Sequence, residues 1–259
     1  TTQASLATTS HNISNVNTEG YSRQRANQVA QLPDFYGASY IGTGVSVSSV
    51  ERLYDDFLSD QVRTYTSQEA QQGTFSEFSK QVDDLLNSPS SSVNTGVEAF
   101  FSSVHEVSND PTSIASRQVM LTEGELLANR FQVLDLQITN LDKQVDNMLD
   151  VSIKEVNNLS NGIANLNEAI TSLSISGAVP NDLLDQRDQL INELSGLVSV
   201  STLQQTNGSV SVFIGTGQAL VVDNSQVALK SITDLQGRVA IGYGPTGMDI
   251  TAQVTGGSF

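Results

Sequence analysis

The residue types that could do chemistry in this 259-residue chain are few and badly placed for it. His11 and His105 are its 2 histidines, and it has no cysteine. That removes disulfides, thiolate metal sites and cysteine nucleophiles together, and leaves a histidine metal site or a Ser-His-Asp triad without partners. The 28 carboxylates could supply acid and base pairs of the glycosidase kind, but such a pair needs a pocket, and these are spread along helical stretches as solvating charge. The run GTGQAL from Gly215 lacks the third glycine of a dinucleotide loop and lies among strand-like segments, so a turn is expected there; no phosphate loop with its lysine occurs. The Asn-X-Ser triplets at Asn12, Asn158 and Asn207 fall on two expected helices and in one tight hairpin, which argues against glycosylation. No enzyme, no metal and no cofactor is expected.

Charge excludes more. With 12 Lys plus Arg against 28 Asp plus Glu the net charge is −16, so a phosphate backbone would be repelled and nucleic acid is not an expected partner. No run of 18 apolar residues is present, and no charged-then-apolar leader, so no membrane partner is expected. The chain starts without Met inside an amphipathic pattern, and is expected to be a piece of a longer protein.

The elements that would have to position any site are mostly helices. Leu6, Ile13 and Val16 share one helical face, and the cluster Asn12, Asn15, Asn17 should stop that helix, because Asn side chains compete for backbone hydrogen bonds. Gly20 is expected at positive φ in a chain reversal, followed at Tyr21 by an extended segment to Ala30. The helical domain beyond Ser49 is expected not to depend on that turn. The run Leu32–Val50 reads as a connector with one short strand at GVSVSSV.

A long amphipathic helix is expected over Ser49–Leu86, ended by NSPSSS from Asn87 to Ser92. A shorter one follows over Thr95–Ser108. Asp110 then stands as N-cap with Pro111 at the first helical position. From Pro111 to about Leu173 apolar residues recur at three and four, without a proline after the first, which predicts one helix roughly 90 Å long. Such a stripe needs antiparallel neighbours, and the helices at Ser49–Leu86 and from Asn181 are the candidates. In the last of these, Asn181 or Asp182 is the expected cap, Leu183, Leu190, Ile191, Leu194 and Leu197 form the stripe, and Arg187 falls inside it, which points it at a carboxylate on a neighbouring helix. From Val198 the period changes to two, with Asn207-Gly208 as a hairpin signal and further strands at QALVVD and GRVAIGYG. The terminal TGGSF carries no domain-like ending. The fold class is therefore mainly α: an elongated bundle of long antiparallel helices with a small β-hairpin or sheet region near the C-terminal end. Three regions are expected, 1–48 as a terminal helix and connector, 49–197 as a long-helix rod, and 198–259 as a β-rich part attached to it.

Two stretches carry a resemblance. SHNISNVNTEGYSRQR resembles the N-terminal signature of the bacterial flagellar axial proteins of the rod, hook and hook-associated class, with His11 where that family commonly has Asn. Its matching residues are Asn12, Ile13, Asn15, Asn17, Gly20 and Tyr21. LLDQRDQLINELS, with Leu183, Leu184, Asp185, Gln186, Arg187 and Asp188, is similar to a segment of the hook-associated junction family, and GVSVSSVERLYDDFLSDQVR and the Asp110-Pro111 helix start resemble it too. The resemblance implies a structural component of the flagellum, outside the cell, that joins hook to filament by self-assembly. It implies as partners further copies in a ring, the hook protein, a second junction hook-associated protein, and an export chaperone whose site lies outside these residues. It also implies type III export and a coiled coil between the two chain ends. A hook or distal rod protein is the alternative, since it shares the opening signature but not the long uninterrupted helix or Leu183–Ser195. A secreted coiled-coil adhesin or effector would explain the acidic helices but not the signature.

Overall fold

A computed structural model describes residues 1–37, 39–87, 93–175 and 179–259. Its elements in chain order are α1 (Thr2–Ser14), β1 (Gln24–Ala30), β2 (Asp34–Tyr36), β3 (Ser39–Ile41), β4 (Val45–Arg52), α2 (Asp56–Asn87), α3 (Val93–Asn109), α4 (Ile114–Ile175), α5 (Asn181–Leu197), β5 (Val200–Gln204), β6 (Val210–Ile214), β7 (Gln218–Val222), β8 (Ser225–Gln226), β9 (Leu229–Thr233), β10 (Val239–Tyr243) and β11 (Met248–Asp249). The mainly α class with small antiparallel sheets stands as expected. Contacts group the chain into two compact units, residues 1–71 with 152–259, and residues 72–151.

Several boundaries differ from those expected, each for a reason visible in the hydrogen bonding. The strand at GVSVSSV does not give way to helix at Ser49: β4 runs on to Arg52 because β1 pairs with it antiparallel along its whole length, with a bulge at Asn27/Gln28. Helix α2 starts only at Asp56, where Asp55 Oδ1 accepts the Leu58 amide at 3.1 Å as a cap. Asp110 does not cap α4. Its Oδ1 takes the Thr112 amide and hydroxyl and closes a turn over Pro111, and Ser113 Oγ accepts the Ser116 amide at the true start. Neither Asn181 nor Asp182 caps α5, since both side chains are bonded to the N-terminal segment. The helix end expected over 87–92 falls mostly outside the described residues, as does part of the turn before α5.

The first unit holds the core. Ile153, Val156, Ile163 and Ile170 line one face of α4, and pack with Ile191 and Leu194 of α5, Val212 and Ile214 of β6, and Leu220 and Val221 of β7. Helices α4 and α5 run antiparallel, with Leu190 Cδ1 only 2.9 Å from where a Cβ on Gly162 would sit. Two amides on α4 fix the sheets to it. Asn167, fully buried, donates to the carbonyls of Val210 and Asp223 and accepts the Val210 amide. Asn157 pairs in the same way with the amide and carbonyl of Leu229 at the head of β9. The hairpin at Asn207 closes as a three-residue loop, with Gly208 at φ 86° and the Gln205 amide on Ser209 O. The terminal TGGSF is docked on the first unit. The amides of Gly257, Ser258 and Phe259 donate to Ser67, Gly196 and Leu197 carbonyls, and the backbone comes so close to Leu197 that no Cβ could stand at Gly257.

The second unit is built differently. Gly96 of α3 faces Leu127 and Arg130 of α4, and Gly124 faces the Phe100 ring, so α3 lies antiparallel on α4, a neighbour the periodicity did not assign. Among the described residues, no apolar side chain in 72–151 is buried.

Candidate functional site

The opening signature and the segment Leu183–Ser195 meet. Helix α1 ends at Asn15, whose Nδ2 donates to the His11 carbonyl at 3.0 Å, so the asparagine stop operates as expected. Three residues earlier, the Asn12 amide imitates a peptide group. Its Nδ2 donates to Gln24 O at 2.9 Å and its Oδ1 accepts the Gln24 amide at 2.8 Å and the Tyr21 hydroxyl at 2.7 Å. One side chain thereby sets the spacing between the helix and the start of β1. Gly20 lies at φ 76°, as expected for the reversal, and its backbone rests on Gln189 of α5, with Oε1 2.8 Å from where a Cβ would be. The turn is therefore seated on α5.

Helix α5 has two faces. Asp182, Asp185, Asp188 and Asn192, at steps of three and four, form one of them. Asp182 Oδ1 accepts from Gln24 Nε2 at 2.9 Å and faces His11 Nε2 at 3.3 Å. Asp185, buried, accepts the Ser22 amide on Oδ2 at 2.9 Å and Arg52 on Oδ1 at 3.0 Å. Arg52 also binds Asp188, and its guanidinium lies 4.1 Å over the Tyr54 ring. Arg63, buried on α2, completes the stripe with bonds to Asn192 Oδ1, Asp60 Oδ1 and the Tyr54 hydroxyl, and stands 3.6 Å from Asp188. Burial works against the Arg52 charge, but Asp188 and Asp185 outweigh it and hold that guanidinium above its ordinary range. Burial, then the carboxylates of Asp182 and Asp185, raise the Tyr21 phenol.

The other face of α5 points inward. Arg187, only 1% exposed, does not meet a carboxylate on a neighbouring helix. It donates to Asn167 Oδ1 at 3.0 Å and to the Gly208 carbonyl at 2.8 Å, because α4 offers it the amide of Asn167 instead. Burial lowers its pKa from the ordinary value. The inward orientation follows from its place in the stripe. The partner's chemistry does not.

The remaining signature residues divide. Leu183 and Leu184 are half-buried, Gln186 and Asn17 are exposed, Ile13 and Leu6 are exposed on α1, which buries none of its residues, and Val16 just beyond it is exposed too. Gln24, Arg52, Arg63 and Asn167 went unselected in the sequence, and Asn181, expected as a cap, instead donates from Nδ2 to Val50 O. The signal for two of them was available, as Arg52 and Arg63 are cations in a strongly acidic stretch. The two histidines lie in different compact units. Among the described residues, no group of three His, Asp or Glu side chains is placed to hold a metal ion, and no helix is long and apolar enough to cross a membrane.

This polar clamp between an asparagine-stopped first helix and a carboxylate-striped later one is the setting for the comparisons. Residues 79–259 match the family described as the flagellar hook-associated protein FlgK helical domain. The chain belongs to this family. Flagellar hook-associated protein 1 of Salmonella typhimurium is 37% identical over 233 residues, 89% of this chain and 42% of that protein. The protein of the same name in Bacillus subtilis is 30% identical over 244 residues, 90% of this chain and 48% of the relative. The flagellar hook junction protein FlgK from Burkholderia pseudomallei superposes with a TM-score of 0.69 at 27% identity, over 77% of this chain and 37% of that one. The chain thus spans less than half the length of these hook-associated relatives.

Proposed function

We propose that the protein to which this chain belongs is a structural part of the bacterial flagellum, joins hook to filament, and works by self-assembly rather than catalysis. The observation that supports this reading is the clamp itself. The two segments that resemble the axial and junction families, far apart in sequence, are bonded to each other through Ser22–Asp185 and Gln24–Asp182, with Gly20 packed close to Gln189. In this reading Asn12, Asn15, Gly20, Tyr21, Asp185 and Asp188 are positioning residues that set the direction in which α1 leaves the domain. Arg187, Leu183 and Leu184 hold α5 in place. Ile13, Asn17 and Gln186 stay at the surface, where a neighbour can reach them. Residues 1–48 then serve as axial helix and connector, 49–197 as the helical rod and 198–259 as the β part attached to it. The partners are further copies, the hook protein and a second junction hook-associated protein, and an export chaperone would bind outside these residues.

Gly20→Val in the full-length protein, expressed in a bacterium lacking its own junction protein, tests the proposal. The core from Ile153 onward does not include the turn, so the variant should be exported and folded. A β-branched residue at positive φ should swing α1 away, and filaments should be shed into the medium. Normal swimming with the valine in place would rule the mechanism out.

A further inference from the structure

We propose that the Asn207-Gly208 link is a latent self-modification site, shut in the folded hairpin and open in the unfolded chain, whose reaction bars the chain from returning to this fold. Asn-Gly occurs at two places, Asn161-Gly162 on α4 and Asn207-Gly208 between β5 and β6, and both asparagines are exposed. In an open chain the reaction needs only water. The Gly208 nitrogen, having lost its proton to solvent, bonds to Asn207 Cγ; the Cγ–Nδ2 bond breaks, and Nδ2 takes up a proton and leaves as ammonia, which gives a five-membered imide. Water then adds to either imide carbonyl and reopens the ring as aspartate or isoaspartate. Glycine favours the step because it places no side chain beside the attacking nitrogen.

The folded hairpin keeps the reacting atoms apart. The Gly208 amide donates to Gln205 O at 3.1 Å, so its proton is engaged. Neither Thr206 nor Asn207 has positive φ, which leaves type I among the common hydrogen-bonded turns and puts Asn207 at its third position, where ψ is about 0°. Ring closure needs the Gly208 nitrogen to eclipse Asn207 Cβ, about 120° away in ψ. The Ser209 amide donates to Asn207 Oδ1 at 3.0 Å and polarises Cγ toward attack, yet a nitrogen that cannot reach Cγ gains nothing from it. Nor is the tip free to rearrange. It is seated on α4, with Ser174 Oγ 3.4 Å from where a Cβ on Gly208 would be, and Arg187 donates to the Gly208 carbonyl at 2.8 Å. That last bond makes the product incompatible with the fold. Isoaspartate routes the main chain through Cβ and Cγ and lengthens it by one atom, inside a tight loop closed by the Gln205 amide on Ser209 O at 2.9 Å. The Gly208 carbonyl then leaves Arg187, a fully buried side chain whose Nε already has no hydrogen-bond partner among the described residues. The guanidinium keeps its bond to Asn167 and loses the other where water does not replace it. A chain that lingers unfolded is thereby removed from the pool that can fold, whatever the folded protein assembles into.

Peptide mapping by mass gives the rate of ammonia loss at each asparagine. At mildly alkaline pH, Asn207 in the native chain should react at least about tenfold more slowly than in the same chain held in urea, because reaction then waits on opening of the hairpin. Equal rates would overturn the shut site. The bar to refolding is tested with Asn161→Gln, an exposed change that removes the other Asn-Gly link. This variant is held in urea until reacted and unreacted chains are equal in amount, diluted into buffer, and digested with a protease that removes open chains. The same variant taken briefly through urea sets the recoverable yield. Isoaspartate at 207 should be depleted at least about fivefold among the survivors, while unreacted chains return at the yield of the brief exposure. Survivors that carry isoaspartate in proportion to the undigested sample would overturn the bar. Native chain aged without urea gives a second reading that needs no refolding: isoaspartate should collect in the protease-sensitive fraction, and an equal share in the resistant fraction would contradict the proposal.

Discussion

The two compact units share a helix and treat it in opposite ways. From Ile153 onward α4 buries a full apolar stripe against α5 and two sheets, while from Ile114 to Val151 the same helix buries no apolar residue among those described. The spacing of Leu127, Leu134 and Leu141 is as regular as that of Val156, Ile163 and Ile170. Periodicity therefore predicts the helix and says nothing of whether a second layer covers it. In the first unit that layer is supplied by α5, β6 and β7, tied on by Asn157, Asn167 and Arg187. In the second, α3 meets α4 at Gly96 and Gly124, where small residues let two helices approach without burying an apolar side chain among the described residues.

If the contrast is sound, substitutions should be costly in one unit and cheap in the other. The largest effect is expected at Arg187→Ala, which removes bonds to Asn167 and Gly208 and opens a void in the core: about 3 kcal/mol of stability, read from urea denaturation. A loss near zero would erase the distinction between the units. Arg52→Ala should follow at about 2–3 kcal/mol, because it strips a buried partner from Asp185 and leaves that carboxylate with the Ser22 amide. Thermal unfolding of the variant checks it. Gly20→Val should cost about 1–2 kcal/mol for a β-branched residue in the left-handed region, and less if Gln189 can swing aside. Ile138→Ser, in the second unit, should change stability by no more than about 0.5 kcal/mol, since the side chain is already half in water. A large loss there would mean that the second unit depends on that face for its own packing.

Most of the helices could be read from the sequence, and so could the inward turn of Arg187, since each depends on local spacing. The start of α4 was missed by three residues because Asp110 satisfies a turn first, and the caps of α5 were missed because Asn181 and Asp182 are bonded to residues far away in the chain. The strands β8, β9 and β11 are too short or too polar to carry a period. The clamp was legible only as two separate motifs. Nothing local in NISNVNTEGY says that Asn12 will pair with Gln24 or that the Ser22 amide will find Asp185, for those are long-range pairings set by tertiary packing.

That pairing is the center of the account, and backbone amide exchange tests it directly. The Ser22 amide is bonded to Asp185 Oδ2 and the Gln24 amide to Asn12 Oδ1. Both should be protected in the parent chain, and in Asp185→Ala the Ser22 amide should exchange at least about tenfold faster relative to the amides of β6, which monitor the core. A Ser22 amide that exchanges in the parent as fast as in an open peptide, or that keeps its protection without Asp185, would show that the signature turn and α5 are not one clamp.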